Sequence, residues 1–291
     1  VREKNKRAST PGEETMITKS PDPKEAGRNW ASPEVAERWR RTQARRDEHY
    51  GPATEMMLDL AALQTGHRVL DVAAGTGGQT VLAARRVGPS GYVLATDISA
   101  TMLNVAAEAA LKAGLTNIET QVVDAHNLDG EAESFDRVIC RSGLMLFSDA
   151  PKVLRQTHRA LKRGGKFAAL VFSAEEKNPY QGIPFSIVRR LGGKSPPHFS
   201  LGDPQRLRDT FRDGGFVDIT VRPVSLSRHF SSAAEVIQDL KEAIFIREAM
   251  ANLADAEREQ AWFQIEQELG RRQGPDGLDL PGEMLIAVGT K

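Results

Sequence analysis

The sequence predicts an α/β fold, a mostly parallel sheet with helices on both faces. Three observations carry this. Short apolar runs alternate with helical patterns from residue 68 to residue 222, a pattern that needs crossover connections between parallel strands. The first run, "VLDVAAGTGGQT" from Val69 to Thr80, passes from strand to a turn of small residues and on into a helix. A chain of 291 residues, 40% apolar and 27% charged, is also large enough to bury the core such a sheet requires.

Residues 1–27 are polar and rich in Pro, Ser and Thr, the composition of a disordered tail. Residues 28–64 read as two helices. Ser32 is suited to cap the first, with Pro33 at its opening position. Gly51-Pro52 is expected to break the run, and Met56, Met57, Leu60 and Leu63 form the apolar face of the second. Strands are expected at 68–73, 91–96, 118–123, 135–140, 166–172 and 217–222. Helices are expected at 78–87, 99–113, 150–162 and 203–213. Gly164-Gly165 is the expected stop of the third of these, and "KNPY" at Lys177–Tyr180 reads as a loop.

Residues 226–278 are a long helical pattern inserted before the final strand, "GEMLIAVGT". A parallel strand ends at the carboxyl edge of its sheet, where open α/β sheets bind ligands. The insertion is therefore placed as a lid; a plain extension of the core or a homodimer contact is the alternative. The expected domain comprises 65–225 and 279–291, with 28–64 lying over the active site.

Lys+Arg and Asp+Glu are both 39, which argues against a nucleic-acid partner held by many phosphate contacts. The single cysteine, Cys140, sits in "RVICRS" and reads as a buried core thiol; it cannot form an internal disulfide. No apolar run approaches the ~18 residues of a membrane span, and no secretory core opens the chain, so a cytoplasmic setting is expected.

The turn after the first strand lets a ligand approach the main chain, and the helix that follows aims its free N–H groups and positive dipole end at that ligand. The small residues fall at Ala73, Gly75 and Gly77, with Thr80 where a dinucleotide fingerprint wants its last glycine. Asp97 ends the second strand about twenty residues on, placed to accept hydrogen bonds from a ribose. A turn or a cap for the next helix is the structural alternative. Asp124, with the N–H of Ala125, ends the third strand at the same edge. Arg141-Ser142-Gly143 ends the fourth.

The ordered set "VLDVAAGTGGQT", "VLATDIS", "VVDAHNL", "FDRVICRSGLMLF" and "ALKRGGKF" resembles the class I S-adenosylmethionine-dependent methyltransferases, most closely the branch of the ubiquinone/menaquinone C-methyltransferases. The resemblance covers about residues 50–225. It implies a Rossmann-like, seven-stranded, mostly parallel sheet with an antiparallel last strand. It further implies S-adenosyl-L-methionine as cofactor, S-adenosyl-L-homocysteine as product and a small-molecule methyl acceptor, with no metal.

Carried over residue by residue, Asp71 and the loop of Ala73, Gly75, Thr76 and Gly77 would cradle the methionine part of the cofactor. Asp97 would take the ribose, Ile98 and Met102 the adenine face, and Asp124 and Ala125 its edge, with Arg141 beside the channel. Family members often have Gly where Ala73 stands. His49 and Tyr50 are the first candidates for contacting the acceptor, because N-terminal helices of this fold often lie over the methyl donor; a solvated His49 is the alternative.

His198 and His229 leave the carboxyl edge and could reach the pocket. His158 is expected to face water, and His126 to flank the adenine or face solvent. The basic run "RRTQARR" at 40–46 reads as a solvated face, with an anionic substrate group as the alternative. Phe185, Phe199, Phe230, Phe245, Trp262 and Phe263 suit an apolar acceptor. The expected reaction is methyl transfer to oxygen or carbon of an aromatic, quinone-like or polyketide-like molecule. An RNA- or protein-modifying methyltransferase and a non-catalytic nucleotide-binding module are the competing readings.

Overall fold

The computed structural model describes Trp30, residues 32–128 and residues 130–291, so the expected tail at 1–27 lies outside the described residues. Seven strands form one sheet in the order β3-β2-β1-β4-β5-β7-β6. They are β1 (Arg68–Val72), β2 (Tyr92–Asp97), β3 (Ile118–Val122), β4 (Phe135–Arg141), β5 (Leu161–Phe172), β6 (Val217–Phe230) and β7 (Leu278–Thr290). β1 to β5 pair in parallel, and β7 runs antiparallel between β5 and β6. Val69, Val138, Phe167, Leu170 and Ile286 of the central strands are fully buried, as expected when both faces of a sheet are covered.

The chain steps outward from β1 to β2 and β3, then returns to the other side of β1 for β4 and β5. The carboxyl ends of β1 and β4 therefore flank a topological switch point, the place where such sheets leave a crevice. Helices α2 (Gly78–Val87), α3 (Ala100–Lys112), α4 (Ala150–Ala160) and α6 (Pro204–Asp213) are the connections. Ser99 caps α3 by accepting from the N–H of Met102 at 3.3 Å.

Four expectations are corrected. The two N-terminal helices are one, α1 (Pro33–Leu60), 28 residues long with Pro52 inside it. Ser32 caps it as expected, accepting from Val35 N–H at 3.3 Å. Pro52 forfeits a backbone hydrogen bond and costs about 3 kcal/mol in a helix interior. Burial of Ala53, Met57 and Leu58, all 0% exposed, offsets that cost, and the Thr54 hydroxyl donates to the Tyr50 carbonyl at 2.8 Å across the proline turn. Met56, expected on the apolar face, is exposed.

The segment read as a loop at "KNPY" opens α5 (Pro179–Arg190), whose residues 180–185 are all buried. Helix α4 stops at Ala160, before the two glycines, because Leu161 is already extended and pairs with Phe135. The last two strands are longer than expected. β6 and β7 pair from Val217↔Thr290 to Phe230↔Leu278, whereas β5 pairs with β7 only as far as Phe172↔Met284. The far half of this ribbon projects past the carboxyl edge and carries α7 (Ala233–Glu242), α8 (Ile244–Ala249) and α9 (Asp255–Gly270). The helical insertion thus starts at residue 231, not 226.

Those helices share a second apolar core with α5, built on Phe185, Val188, Val236, Leu240, Ile246 and Ile265. Phe263 lies outside it, exposed. Cys140 is fully buried, and burial pushes its thiol up to about 12. Among the described residues, no helix is long and apolar enough to cross a membrane.

Candidate functional site at the carboxyl edge

The turn after β1 has the geometry its composition anticipates. Ala73, Gly75 and Gly77 have φ of 56°, 57° and 83°, all in the left-handed region. At Ala73 an ordinary side chain adopts a conformation that favours glycine. A Cβ added at Gly75 would meet nothing within 4 Å, so that face of the turn is open.

Asp71 does not point into this space. It is fully buried, accepting from Thr80 Oγ1 at 2.6 Å and from Gln79 Nε2 at 3.1 Å, and so ties the first turn of α2 to β1. Burial pushes its carboxyl up to about 7, against those two hydrogen bonds and the nearby Arg141, which act the other way. Asp97 is half-buried. Its Oδ2 accepts from Gly75 N–H and its Oδ1 from Ser99 N–H, each at 2.9 Å. It therefore serves as a turn former as well as a candidate ribose acceptor, since each carboxylate oxygen keeps a second acceptor site. Burial raises its pKa.

At the third strand tip, Asp124 Oδ1 accepts from His126 N–H at 2.9 Å and lies 2.7 Å from His126 Nδ1. Desolvation opposes ionisation there, but those bonds prevail and hold the carboxyl below its usual range. Asp71 pairs in register with Ala95 on β2, and Asp97 with Val122 on β3, so the three acidic tips line one edge on adjoining strands. Ile98 is 42% exposed beside Asp97, whereas Met102 is buried against Val35 and Ala36 of α1. Ala125 is buried.

Helix α1 lies directly over the turn. Gln43 Nε2 donates to the Thr76 carbonyl at 3.1 Å, and Arg46 Nη2 to Thr76 Oγ1 at 3.3 Å. Arg141, at the end of β4, reaches up to α1 and donates to Thr54 Oγ1 at 3.2 Å and Asp47 Oδ1 at 3.0 Å. Beside it Ser142 has φ 57°, and its buried hydroxyl has no partner among the described residues. Gln43 and Arg46 belong to the basic run at 40–46 that was expected to face solvent, and here they turn inward onto Thr76; Asp47 was not among the sequence-derived candidates. Their spacing with Tyr50 and Thr54 places all five on one helical face, a signal hidden by reading a break at Gly51-Pro52.

His49 and Tyr50 come together, ring centroids 4.6 Å apart, and line a small cavity with Phe172, Asn178, Tyr180 and Arg228. Burial and the Arg228 charge push His49 down to about 4, so it is neutral near pH 7. The Tyr50 phenol is raised by burial. A larger, open cavity, with about 540 Å³ of empty space including open solvent, lies between α1 and the α7–α8 turn, with Tyr50 and Tyr180 on its wall.

The other histidines separate. His198 is buried with Nδ1 unpartnered, its ring 4.4 Å from that of Phe245 and 5.3 Å from that of Phe185, and burial pushes it down to about 4. His229 is exposed and lies 2.9 Å from Asp279. His158, expected in water, packs half-buried on Phe216 with ring centroids 5.2 Å apart, because Phe216 follows the turn that ends α6.

Strand order and the glycine turn together define the fold of the class I methyltransferases. Residues 53–189 match the family model described as the ubiE/COQ5 methyltransferase family. The chain is 36% identical over 140 residues to the ubiquinone/menaquinone biosynthesis C-methyltransferase UbiE of Pasteurella multocida, a match covering 46% of this chain and 52% of that protein. It thus spans about half the length of the curated relatives it matches.

Among solved structures, the YcgJ protein from Bacillus subtilis superposes with a TM-score of 0.57 at 19% identity, covering 83% of this chain and 99% of that one. Phosphoethanolamine N-methyltransferase 2 of Haemonchus contortus, in complex with S-adenosyl-L-methionine, gives 0.56 at 20% identity, covering 92% and 59%. At these identities the superpositions establish the fold.

Proposed function

We propose that the chain transfers the methyl group of S-adenosyl-L-methionine to oxygen or carbon of a small aromatic, quinone-like or polyketide-like acceptor. The single observation that carries this is the pairing of an open left-handed turn at Gly75 with the Asp97 carboxylate bonded to that turn's N–H. The residues present fit the cofactor: a main chain open to close approach, and a strand-tip carboxylate with acceptor sites left over. Ala73, Gly75, Thr76 and Gly77 would hold its methionine end, Asp97 its ribose, Ile98 the adenine face with Met102 packed behind it under α1, and Asp124 and Ala125 the adenine edge. Asp71 acts one step back by fixing the turn, and Arg141 by fixing α1 over it.

The cofactor, when bound, supplies an activated methyl group. The protein's task is to align the acceptor and exclude water, and alignment alone accounts for a large part of such accelerations. His49 and Tyr50 face the acceptor from α1. The α7–α9 insertion, packed on α5 through its apolar core, would cover the acceptor side, and α1 the other side. Admission of the cofactor requires Gln43 and Arg46 to give way from Thr76, since both now rest on the turn.

Titration calorimetry tests the reading. S-adenosyl-L-homocysteine binds and NADH does not; the reverse result removes the proposal. Asp97→Ala is expected to weaken S-adenosyl-L-homocysteine by about 1–3 kcal/mol, the usual loss for a buried hydrogen-bond partner. A variant with native circular dichroism and unchanged affinity refutes the role given to Asp97.

A further inference from the structure

The larger cavity is lined by four guanidinium groups, Arg38, Arg45, Arg46 and Arg228, against two carboxylates, Asp239 and Glu242. The carboxylates are already committed. Asp239 pairs with Arg45 and with Arg228, the latter at 3.1 Å, and accepts from the Tyr180 hydroxyl at 2.6 Å. Glu242 pairs with Arg38 at 3.4 Å and with Arg41.

Arg46 stands apart. Its guanidinium lies 3.9 Å over the Trp39 ring, and among the described residues all its hydrogen bonds go to neutral groups: Thr42 Oγ1, the Trp39 carbonyl and Thr76 Oγ1. Those three bonds leave two of its five N–H donors uncommitted. Burial and the like charge of nearby Arg141 outweigh the attraction of the Asp47 carboxylate, with which Arg46 makes no hydrogen bond among the described residues, and hold Arg46 down to about 9. An incoming anion offsets that burial and repulsion. The cavity wall also carries the aromatic side chains of Trp39, Tyr50, Tyr180 and Phe245, with Arg46 lying over Trp39 and Arg228 over Tyr180 at 4.6 Å, an apolar lining suited to an aromatic ligand.

We propose that this cavity takes the methyl acceptor as an aromatic anion, with the Arg46 guanidinium receiving its carboxylate. The proposal rests on the methyltransferase reading and names the charge class of its acceptor. A carboxylate could also come from the methionine end of the cofactor, because Arg46 touches Thr76 of the turn. The test separates the two sources.

The probes are 2-naphthoate and its neutral isostere 2-naphthamide, titrated by ligand-observed NMR into the full chain, alone and saturated with S-adenosyl-L-homocysteine. We expect naphthoate to bind at least about tenfold more tightly than the amide in both states, as a charge-assisted hydrogen bond warrants. Arg46→Gln should bring the two probes within about twofold, while Arg46→Lys keeps part of the preference.

Equal binding of the probes to the wild-type chain overturns the proposal without recourse to any variant. So does a preference that survives Arg46→Gln. A preference that disappears on saturation with S-adenosyl-L-homocysteine assigns Arg46 to the cofactor and overturns it too. If S-adenosyl-L-homocysteine does not bind, the methyltransferase reading fails, while the probe preference of the chain alone still decides whether the cavity receives anions.

Discussion

Gly77→Ala is expected to destabilise the protein by about 2–5 kcal/mol, combining left-handed strain with overpacking. Gly77 has φ 83°, and a Cβ there would fall 2.7 Å from Ala106 Cβ and 2.9 Å from Ala106 Cα, so it presses on the backbone of α3 as well as a side chain. The turn cannot relax away from α3 without also moving Gly75, whose N–H is held by Asp97. Gly75→Ala is the internal control. Its φ is 57° but nothing lies within 4 Å of the added atom, so only the strain of about 1–2 kcal/mol remains. Urea unfolding of both variants measures the difference. A Gly77→Ala protein as stable as the Gly75→Ala protein contradicts the close approach of turn and helix.

Asp71→Asn is expected to gain on the wild-type protein as pH rises. The folded carboxyl titrates at about 7, above its unfolded value near 4, so its favourable contribution is complete below pH 4 and is lost as pH rises through 7. A displacement of that size corresponds to about 4 kcal/mol by pH 8, at about 1.4 kcal/mol per pH unit. Asparagine pays no ionisation cost and retains a carbonyl for Thr80 or Gln79. His198 works in the opposite sense. Its folded value near 4 lies below the unfolded one, so its contribution is present above about pH 6.5 and is lost as pH falls toward 4. The quantity to measure is therefore the stability difference between Asp71→Asn and wild type at pH 5 and pH 8, in which His198 cancels. A difference that does not change with pH contradicts an ionisable Asp71 in the core.

Much of the fold was legible because apolar runs bounded by turn residues report buried parallel strands directly. β1 to β4 and α2 appear within a residue or so of their expected limits. Two departures share a cause: tertiary packing overrode a local breaker. Pro52 sits inside α1 because Ala53, Met57 and Leu58 are buried beneath it, and Gly182 and Pro184 sit inside α5 because the second core surrounds them. The far half of the β6–β7 ribbon was hidden because Pro223, Ser225 and Ser227 dilute the apolar alternation on an edge strand.

The candidate site divides the same way. The glycine turn and the three acidic strand tips are local features, and the sequence displays them. The cover supplied by Gln43, Arg46 and Asp47 exists only once α1 is one helix lying across the turn. The different duties of Asp71 and Asp97 are set by burial, which spacing alone does not report.

A crystal structure of the chain with S-adenosyl-L-homocysteine addresses the central claim most directly. The account predicts ribose hydroxyls within hydrogen-bonding distance of Asp97, the adenine between Ile98 and Asp124, and the amino-acid end against Gly75 and Thr76. A nucleoside seated away from the tips of β1, β2 and β3, with Gln43 and Arg46 still resting on Thr76, contradicts it.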